Sequence, residues 1–308
     1  MSKPLTALAD QLADAPVLPE SPTVVDVTTR LPLNPSMDVQ RKFVGASFGA
    51  AYKEAAAFVN QARTWRAELG LPTDRRNVVL DFGSGWGRIS RMLLEDQAPT
   101  DLYCLDVDPS MTALIQTTLP GVNAMTGTPL PPSVLGDGVV TEAFAFSVFS
   151  HLSEATHAAW ATEFGRIVAP GGLVYITTLE KDFLRQVRNC QKAVQRGSAE
   201  PFHQHLAKLI PDLPAADRAF ENGEFIYCDA GADGPRTGDF YGWAAVPRSW
   251  MEQHWGAAGF TIKHWVPTGK LFGQAMIGLQ RQPDGVVPVH AAGGSTARPE
   301  GKRRWGRR

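Results

Sequence analysis

Two rhythms of apolar residues alternate along this chain. Short runs that are almost wholly apolar alternate with longer stretches in which apolar positions recur every three or four residues. The runs "NVVLDF" (77–82), "DLYCLDV" (101–107), "VNAM" (122–125), "AFAFSVF" (143–149) and "LVYITTL" (173–179) predict five strands. Between them "RISRMLLED" (88–96), "PSMTALIQTTL" (109–119) and "EATHAAWATEFGRIV" (154–168) predict helices, the second opened by Pro109 and the third ended near "APGG". Strands and helices in this order imply right-handed crossovers and a mostly parallel sheet covered on both faces. The nearly unbroken apolar character of "AFAFSVF" fits a strand buried on both sides.

The flanks differ. Residues 1–35 hold six prolines and little periodicity, which predicts a mobile leader, or one docked in part. Residues 38–69 read as helix, with Phe43, Phe48, Tyr52, Ala56, Phe58 and Val59 among polar neighbours and Gly70 and Pro72 as a stop. After residue 180 the alternation breaks. Two helical stretches (181–196 and 201–210) precede a hairpin of "GEFIYCDA" with "DFYGWAAV", and Pro247 opens a further helix. "FTIKHWV" and "FGQAMIGLQ" close the pattern as an antiparallel pair. The expected organisation is a leader (1–35), one α/β domain (36–282) with an inserted lid at about 180–243, and a disordered basic tail (283–308).

Composition narrows the class. The chain has 308 residues, 44% hydrophobic and 20% charged, with a formal net charge of −1. That suits a globular protein and gives no global attraction for polyanions. The apolar runs fall far short of the ~20 residues of a membrane-spanning helix. Cys104, Cys190 and Cys228 lie far apart with no ligand-like spacing, which predicts reduced thiols in a cytoplasmic setting and no metal site.

The segment "VVLDFGSGWGRIS" (78–90) carries the chemistry. A glycine-rich turn from a strand into a helix permits positive φ and brings backbone N–H groups close to a ligand. Asp106 ends the next strand, 19 residues beyond Gly87, where a carboxylate can hold both hydroxyls of a ribose. A dinucleotide loop would read G-x-G-x-x-G, but this one reads G-x-G-x-G, with Arg88 next. Asp81, just before the turn, would repel a pyrophosphate and attract a ligand bearing an ammonium and a sulfonium.

These segments resemble the class I S-adenosylmethionine-dependent methyltransferases over roughly residues 40–282. "VLDFGSGWGR" is similar to the family's first motif and "LYCLDVDPSM" to its second-strand motif. "AFSVFSHLSE" and "RIVAPGGLVYITT" are similar to its fourth- and fifth-strand segments. "GQAMIGLQR" resembles the ending of a subgroup acting on small molecules. The resemblance implies a Rossmann-like seven-stranded sheet with its last strand antiparallel, and S-adenosylmethionine as cofactor. It places Gly83, Ser84, Gly85 and Gly87 along the methionine part, with Asp81 near the amino group. Asp106 falls on the ribose, Val107 on the adenine, and Ser147, Val148 and Phe149 below the sulfonium. Two positions depart from the pattern. Thr126 stands where an acid often meets the adenine amine, and Thr141 where an Asp often enters the fourth strand.

The acceptor is less marked. A hydroxyl acceptor can use a general base, and His151, directly after the fourth strand, is the candidate. In the insert, His203, His205, Asp229, Asp239, Tyr241 and Trp243 are the polar and aromatic candidates. Tyr241 and Trp243 alternate on one strand face and read either as a small hairpin core or as lining of an acceptor pocket, for which Tyr241 is the candidate. Trp160, Phe164, Trp250 and Trp255 read as core, and Arg88 as either a counter-charge in the site or a solvated helix residue. The expected activity is methyl transfer to a small-molecule acceptor, a hydroxyl of sugar or natural-product type. The alternatives are a protein or RNA methyltransferase, supported by the tail "GKRRWGRR" alone, or a non-catalytic cofactor-binding partner subunit. Nothing in the folded part resembles a nucleic-acid-binding module. Neither the acceptor atom nor the oligomeric state has a marker in the sequence.

Overall fold

The computed structural model describes residues 5–15, 17, 33–45, 47–72, 75–231 and 233–283. Helices α1 (Thr6–Ala13), α2 (Met37–Val44) and α3 (Phe48–Leu69) precede the sheet. Part of the leader is docked, as α1. Leu5, Ala9 and Leu12 are buried in the core that holds α3. Buried Asn34 fastens the end of α1 by donating to Leu12 O (2.7 Å) and Ala15 O (3.0 Å). Tyr52 Oη on α3 donates in turn to Asn34 Oδ1 at 2.5 Å. The helix expected over 38–69 is split, because Gly45 adopts φ +75° and closes α2 with its N–H on Arg41 O. The rest of the leader and the tail beyond residue 283 lie outside the described residues.

The alternation then appears as expected. It runs β1 (Val79–Phe82), α4 (Arg88–Leu93), β2 (Leu102–Asp106), α5 (Pro109–Thr118), β3 (Asn123–Thr126), β4 (Val140–Ala145), α6 (Glu154–Ile167) and β5 (Val168–Thr178). The insert holds α7 (Lys181–Gln195), α8 (Pro201–Leu206), α9 (Leu213–Glu221), β6 (Ile226–Cys228) and β7 (Trp243–Ala245). The chain closes with α10 (Arg248–Ala257), β8 (Phe260–Val266) and β9 (Ala275–Arg281). The seven-stranded sheet has the order β3-β2-β1-β4-β5-β9-β8, and β9 runs antiparallel to both its neighbours.

Every residue of β1 and β4 is buried, because successive side chains enter opposite cores. Val79 and Phe144 join the core of α1, α3 and α5, while Leu80, Phe82 and Ala143 join that of α6 and α10. Trp160, Phe164, Trp250 and Trp255 are in the second core, as expected. Thr141 replaces an acid with a structural stitch, accepting from Val78 N (2.9 Å) and donating to Asn77 Oδ1 (2.6 Å). The insert has its own core around Leu184, Val187, Leu206, Ile210 and Ala216, and β6 and β7 form the expected hairpin. Its exit is tied to the sheet by Val246 N donating to Leu179 O at 2.9 Å. Among the described residues no helix is long and apolar enough to cross a membrane.

Candidate active site

The carboxyl edge of the parallel strands carries a cavity of about 210 Å³. Crossing it from β2 to β9, the wall is made by Asp106, then the turn after β1, then Ser147 and Val148, then Gln274. This is where an open α/β sheet binds ligands.

The three glycines of the turn all have positive φ, +68° at Gly83, +50° at Gly85 and +80° at Gly87, for different reasons. A Cβ on Gly83 would lie 2.3 Å from Val148 Cγ2. One on Gly87 would press on Arg91, Leu119 and Ile115. One on Gly85 would meet nothing within 4 Å, so this glycine faces the open cavity. Only Gly85 leaves its space for a ligand; the other two yield theirs to the protein.

The backbone donors of the turn are mostly committed. Gly83 N and Ser84 N donate to Leu105 O, Gly87 N to Ser84 O, and Gly85 N to Asp106 Oδ2 at 2.7 Å. Ser90 donates to Asp81 Oδ2 from both N (3.0 Å) and Oγ (2.5 Å). The expected row of free N–H groups is therefore absent at these positions, and the turn offers shape and carboxylates in place of a pyrophosphate cradle. Asp81 is 1% exposed. Burial pushes its carboxyl up to about 6, against the lowering effect of the two bonds from Ser90. Asp106 is also raised, first by burial, while its Oδ1 accepts from Asp108 N at 2.9 Å.

Val107 lines the cavity. Thr126 does not, because its hydroxyl meets Thr112 Oγ1 at 2.6 Å, and Gly127, Thr128 and Pro129 form that wall instead. Ser147 and Val148 line the cavity, but Phe149 is fully buried among Phe82, Phe164 and Trp255 and belongs to the core. Trp160, a core residue by sequence, also lines the floor and donates from Nε1 to Pro129 O at 2.8 Å.

His151 stands behind the wall. Its Nδ1 lies 2.7 Å from Gly242 O and its Nε2 3.5 Å from Ser147 Oγ. Burial pushes its pKa down to about 4, so the imidazole is neutral. The ring stacks on Tyr241 (centroids 4.9 Å apart) and meets Trp243 edge-on, so the alternating pair of the insert does share one side. Tyr241 lines the cavity, but the expected base does not touch it directly. His203 bonds Ser198 Oγ at 2.8 Å, and among the described residues no group of three His, Cys, Asp or Glu side chains is disposed to hold a metal ion.

Arg88 fits neither expectation fully. It is 7% exposed and lines the cavity, but it is paired with Glu54 at 2.6 Å and lies over the Phe146 ring. Three wall residues were not among the expected site residues, although two of them lie inside quoted motifs. Burial raises the Tyr241 phenol's pKa, and Arg236, from an insert turn over that ring, opposes this by its charge and a hydrogen bond. Trp86 is buried against Tyr52, and its Nε1 has no partner among the described residues. Gln274 was visible only as part of a terminal motif. Its Oε1 and the Ser84 hydroxyl are likewise without a hydrogen-bond partner among the described residues. Orphaned polar atoms around one cavity are what a missing ligand would satisfy.

The sequence model of one family, described as a methyltransferase domain, matches residues 79–172, from β1 into β5. Magnesium protoporphyrin IX methyltransferase from Synechocystis PCC 6803, solved with bound SAH, superposes with a TM-score of 0.50 at 14% identity, over 80% of this chain and 94% of that one. A 1,6-didemethyltoxoflavin-N1-methyltransferase from Burkholderia thailandensis gives 0.46 at 16% identity, over 92% of each chain. A protein from Pyrococcus horikoshii OT3 gives 0.48 at 13% identity, over 75% of this chain and 91% of that one. No curated protein matches the chain. Residues 79–172 thus match a methyltransferase domain, and the fold is that of the class I methyltransferase structures. That Synechocystis neighbour was solved with SAH, the demethylated form of S-adenosylmethionine. The cavity fits that group through the open space at Gly85, the unpartnered Ser84 and Trp86 donors, and the carboxylates Asp81 and Asp106.

Proposed function

We propose that this enzyme methylates a hydroxyl of a small molecule, of sugar or natural-product type, in the cavity at the carboxyl edge. The observation that carries this reading is the continuity of one small cavity from Asp106 to Tyr241, with Arg236, Phe240 and Tyr241 of the insert forming a wall. A pocket of that size walled by an insert suits a small acceptor better than a macromolecular surface. The insert then acts as a lid, and the free thiols suit a reducing, cytoplasmic compartment.

The roles follow from chemistry. Asp81 attracts the ammonium of the methionine part, and Ser84 and Trp86 supply donors beside it. Gly83 and Gly87 shape the turn, and Gly85 lets that part approach the backbone. Asp106 accepts the ribose hydroxyls, Val107 packs on the base, and Ser147 and Val148 lie on the acceptor side. Thr126 and Phe149 leave the cofactor set for the reasons of geometry given above. When bound, the cofactor supplies a methyl group on a sulfonium leaving group. The protein's own part is alignment and exclusion of water, and orientation alone is worth ~7–11 kcal/mol. Neutral His151 acts through Ser147 and not on the acceptor itself.

The test is calorimetric titration of S-adenosylmethionine and of NAD into the wild type and Asp106→Ala, followed by a labelled-methyl screen of alcohols, amines and carboxylic acids. Binding of the first ligand alone, lost in the variant, with label entering alcohols, is the expected result. NAD binding overturns the cofactor reading, and label confined to carboxylic acids overturns the acceptor reading.

A further inference from the structure

Gln274 lies one residue before β9, where that antiparallel strand begins at the carboxyl edge of the sheet. Its Nε2 donates to Ser147 Oγ at 2.8 Å, and its Oε1 is buried in the cavity wall without a partner among the described residues. The direction of this contact can be derived. A carbonyl only accepts, so the 2.7 Å contact with Gly242 O puts the imidazole hydrogen of His151 on Nδ1. The neutral ring then presents a bare lone pair at Nε2, 3.5 Å from Ser147 Oγ. Ser147 has a single hydroxyl hydrogen, and its own backbone N–H is already on Thr177 Oγ1 at 2.7 Å. A Ser147 hydroxyl hydrogen turned to His151 Nε2 or to Ser150 Oγ, each 3.5 Å away, leaves the oxygen to accept, which matches the Gln274 NH₂ donating there and leaves its carbonyl unpartnered at the cavity wall.

The result is a polarised chain. Gln274 donates to Ser147, Ser147 to His151 or Ser150, and His151 to Gly242 O in the insert. Ser147 sits at φ +59°, a conformation that few non-glycine residues adopt. The free end is an unpartnered acceptor, the Gln274 carbonyl oxygen, buried at the cavity wall. It lies beyond β4 from the turn and Asp106, on the side away from the expected nucleoside.

We propose that Gln274 Oε1 orients the methyl acceptor by receiving its hydrogen, so that the site selects acceptors with an O–H or N–H and disfavours carboxylates and phosphates, which have none to give. Ser147 and His151 are positioning residues that fix the amide's orientation, and Gln274 takes no proton itself. This rests on the reading of the cavity as the S-adenosylmethionine site.

The test needs no identified acceptor. Sinefungin carries an amine where S-adenosylmethionine carries its methyl group, and S-adenosylhomocysteine has nothing there. Both are titrated calorimetrically into the wild type, Gln274→Leu and Gln274→Glu. Gln274→Leu should weaken sinefungin about tenfold, the scale of a hydrogen bond to a charged group, and leave S-adenosylhomocysteine within about twofold. Gln274→Glu, nearly the same shape, should bind sinefungin at least as tightly as the wild type. It carries the test if the leucine variant does not fold. Equal weakening of both ligands would mean that the amide holds a part common to them, and no change in either would mean a packing role; each overturns the proposal. If the wild type binds neither ligand, the cofactor reading fails and takes this proposal with it, a result distinct from binding without discrimination.

Discussion

The two halves of the cavity wall are built in opposite ways. The β1–β2 half comes from one continuous stretch, residues 81–108, and its parts hold one another at close range: Asp106 takes Gly85 N, Asp108 N takes the other Asp106 oxygen, and Ser90 takes Asp81. The β4–β9 half is assembled from three distant segments. Ser147 and His151 follow β4, Tyr241 and Gly242 come from the insert, and Gln274 precedes β9. The first half is rigid backbone around two buried carboxylates. The second is side chains hydrogen-bonded across 91 residues between His151 and Gly242 and 127 between Gln274 and Ser147. A cofactor common to a whole class needs a fixed receptor, whereas an acceptor specific to one enzyme is met by groups that separate segments can vary independently.

The largest expected effect tests how far the first half depends on backbone shape. Gly83→Ala forces a side chain onto Val148 at positive φ, and should cost about 2–5 kcal/mol from left-handed strain and overpacking together. Gly85→Ala has the same strain but open space, and should cost only about 1–2 kcal/mol while weakening S-adenosylmethionine. Denaturant melts of the two variants make the comparison; equal losses would mean that Gly83 is not packed against Val148. Next, Asp106→Ala should weaken S-adenosylmethionine about a hundredfold, since two hydrogen bonds to a charged group and the anchor of Gly85 are lost together. Titration after the melt has established folding checks this, and a loss under tenfold would move the ribose elsewhere.

How each half was legible follows from the same contrast. The strand–turn–helix signal and the acid at 106 lie within one local unit, so pattern and spacing sufficed. The closing strands and the β6–β7 hairpin were also visible, because period-two runs are local. What pattern missed depends on partners far along the chain. Nothing in "LTALADQLADAP" tells that Asn34 and Tyr52 will fasten it, and a proline-rich leader therefore read as loose or docked only in part. Gly45 lies inside an apolar periodicity that continues on both sides, so the break between α2 and α3 was masked. The commitment of the turn's N–H groups to Leu105 and Asp106 needs the β1–β2 pairing in three dimensions. Arg236 had no periodic or motif context, and the motif around Gln274 marked an ending strand and not a wall residue. His151 was found because it follows β4 directly, but its partner Gly242 was not.

A smaller effect separates the halves by acid. Binding a cation favours ionised Asp81, whose carboxyl lies at about 6 in the folded protein. Affinity for S-adenosylmethionine should be level above pH 6.5 and fall by up to about tenfold per pH unit below 6. Asp81→Asn should bind more weakly at neutral pH and lose that dependence. Titrations at pH 5, 6 and 7.5 decide it, and an unchanged slope in the variant would assign the effect to another group.

The smallest expected effect is in stability, where the halves titrate in opposite senses. Asp81 is raised from 3.8 to about 6, so between those values the folded state holds a proton that the unfolded state has released. Its contribution to stability therefore falls as pH rises through that window, by about 1.4 kcal/mol per unit. His151 is lowered from 6.5 to about 4, so in that window the unfolded state binds the proton and the folded state does not. Its contribution rises with pH by a similar slope, reduced somewhat by screening because the residue is only half-buried. From pH 4 to 6 the two nearly cancel, and together they leave the wild-type profile almost unchanged. Removing either should expose the other: Asp81→Asn makes stability rise more steeply with pH, and His151→Phe makes the rise shallower or reverses it. Urea melts of the three proteins at pH 4.5, 5.2 and 6 read the slopes directly. Shifts of the same sign in both variants would mean that the two groups do not titrate as opposites, and that the contrast between a carboxylate half and a neutral-imidazole half is wrong.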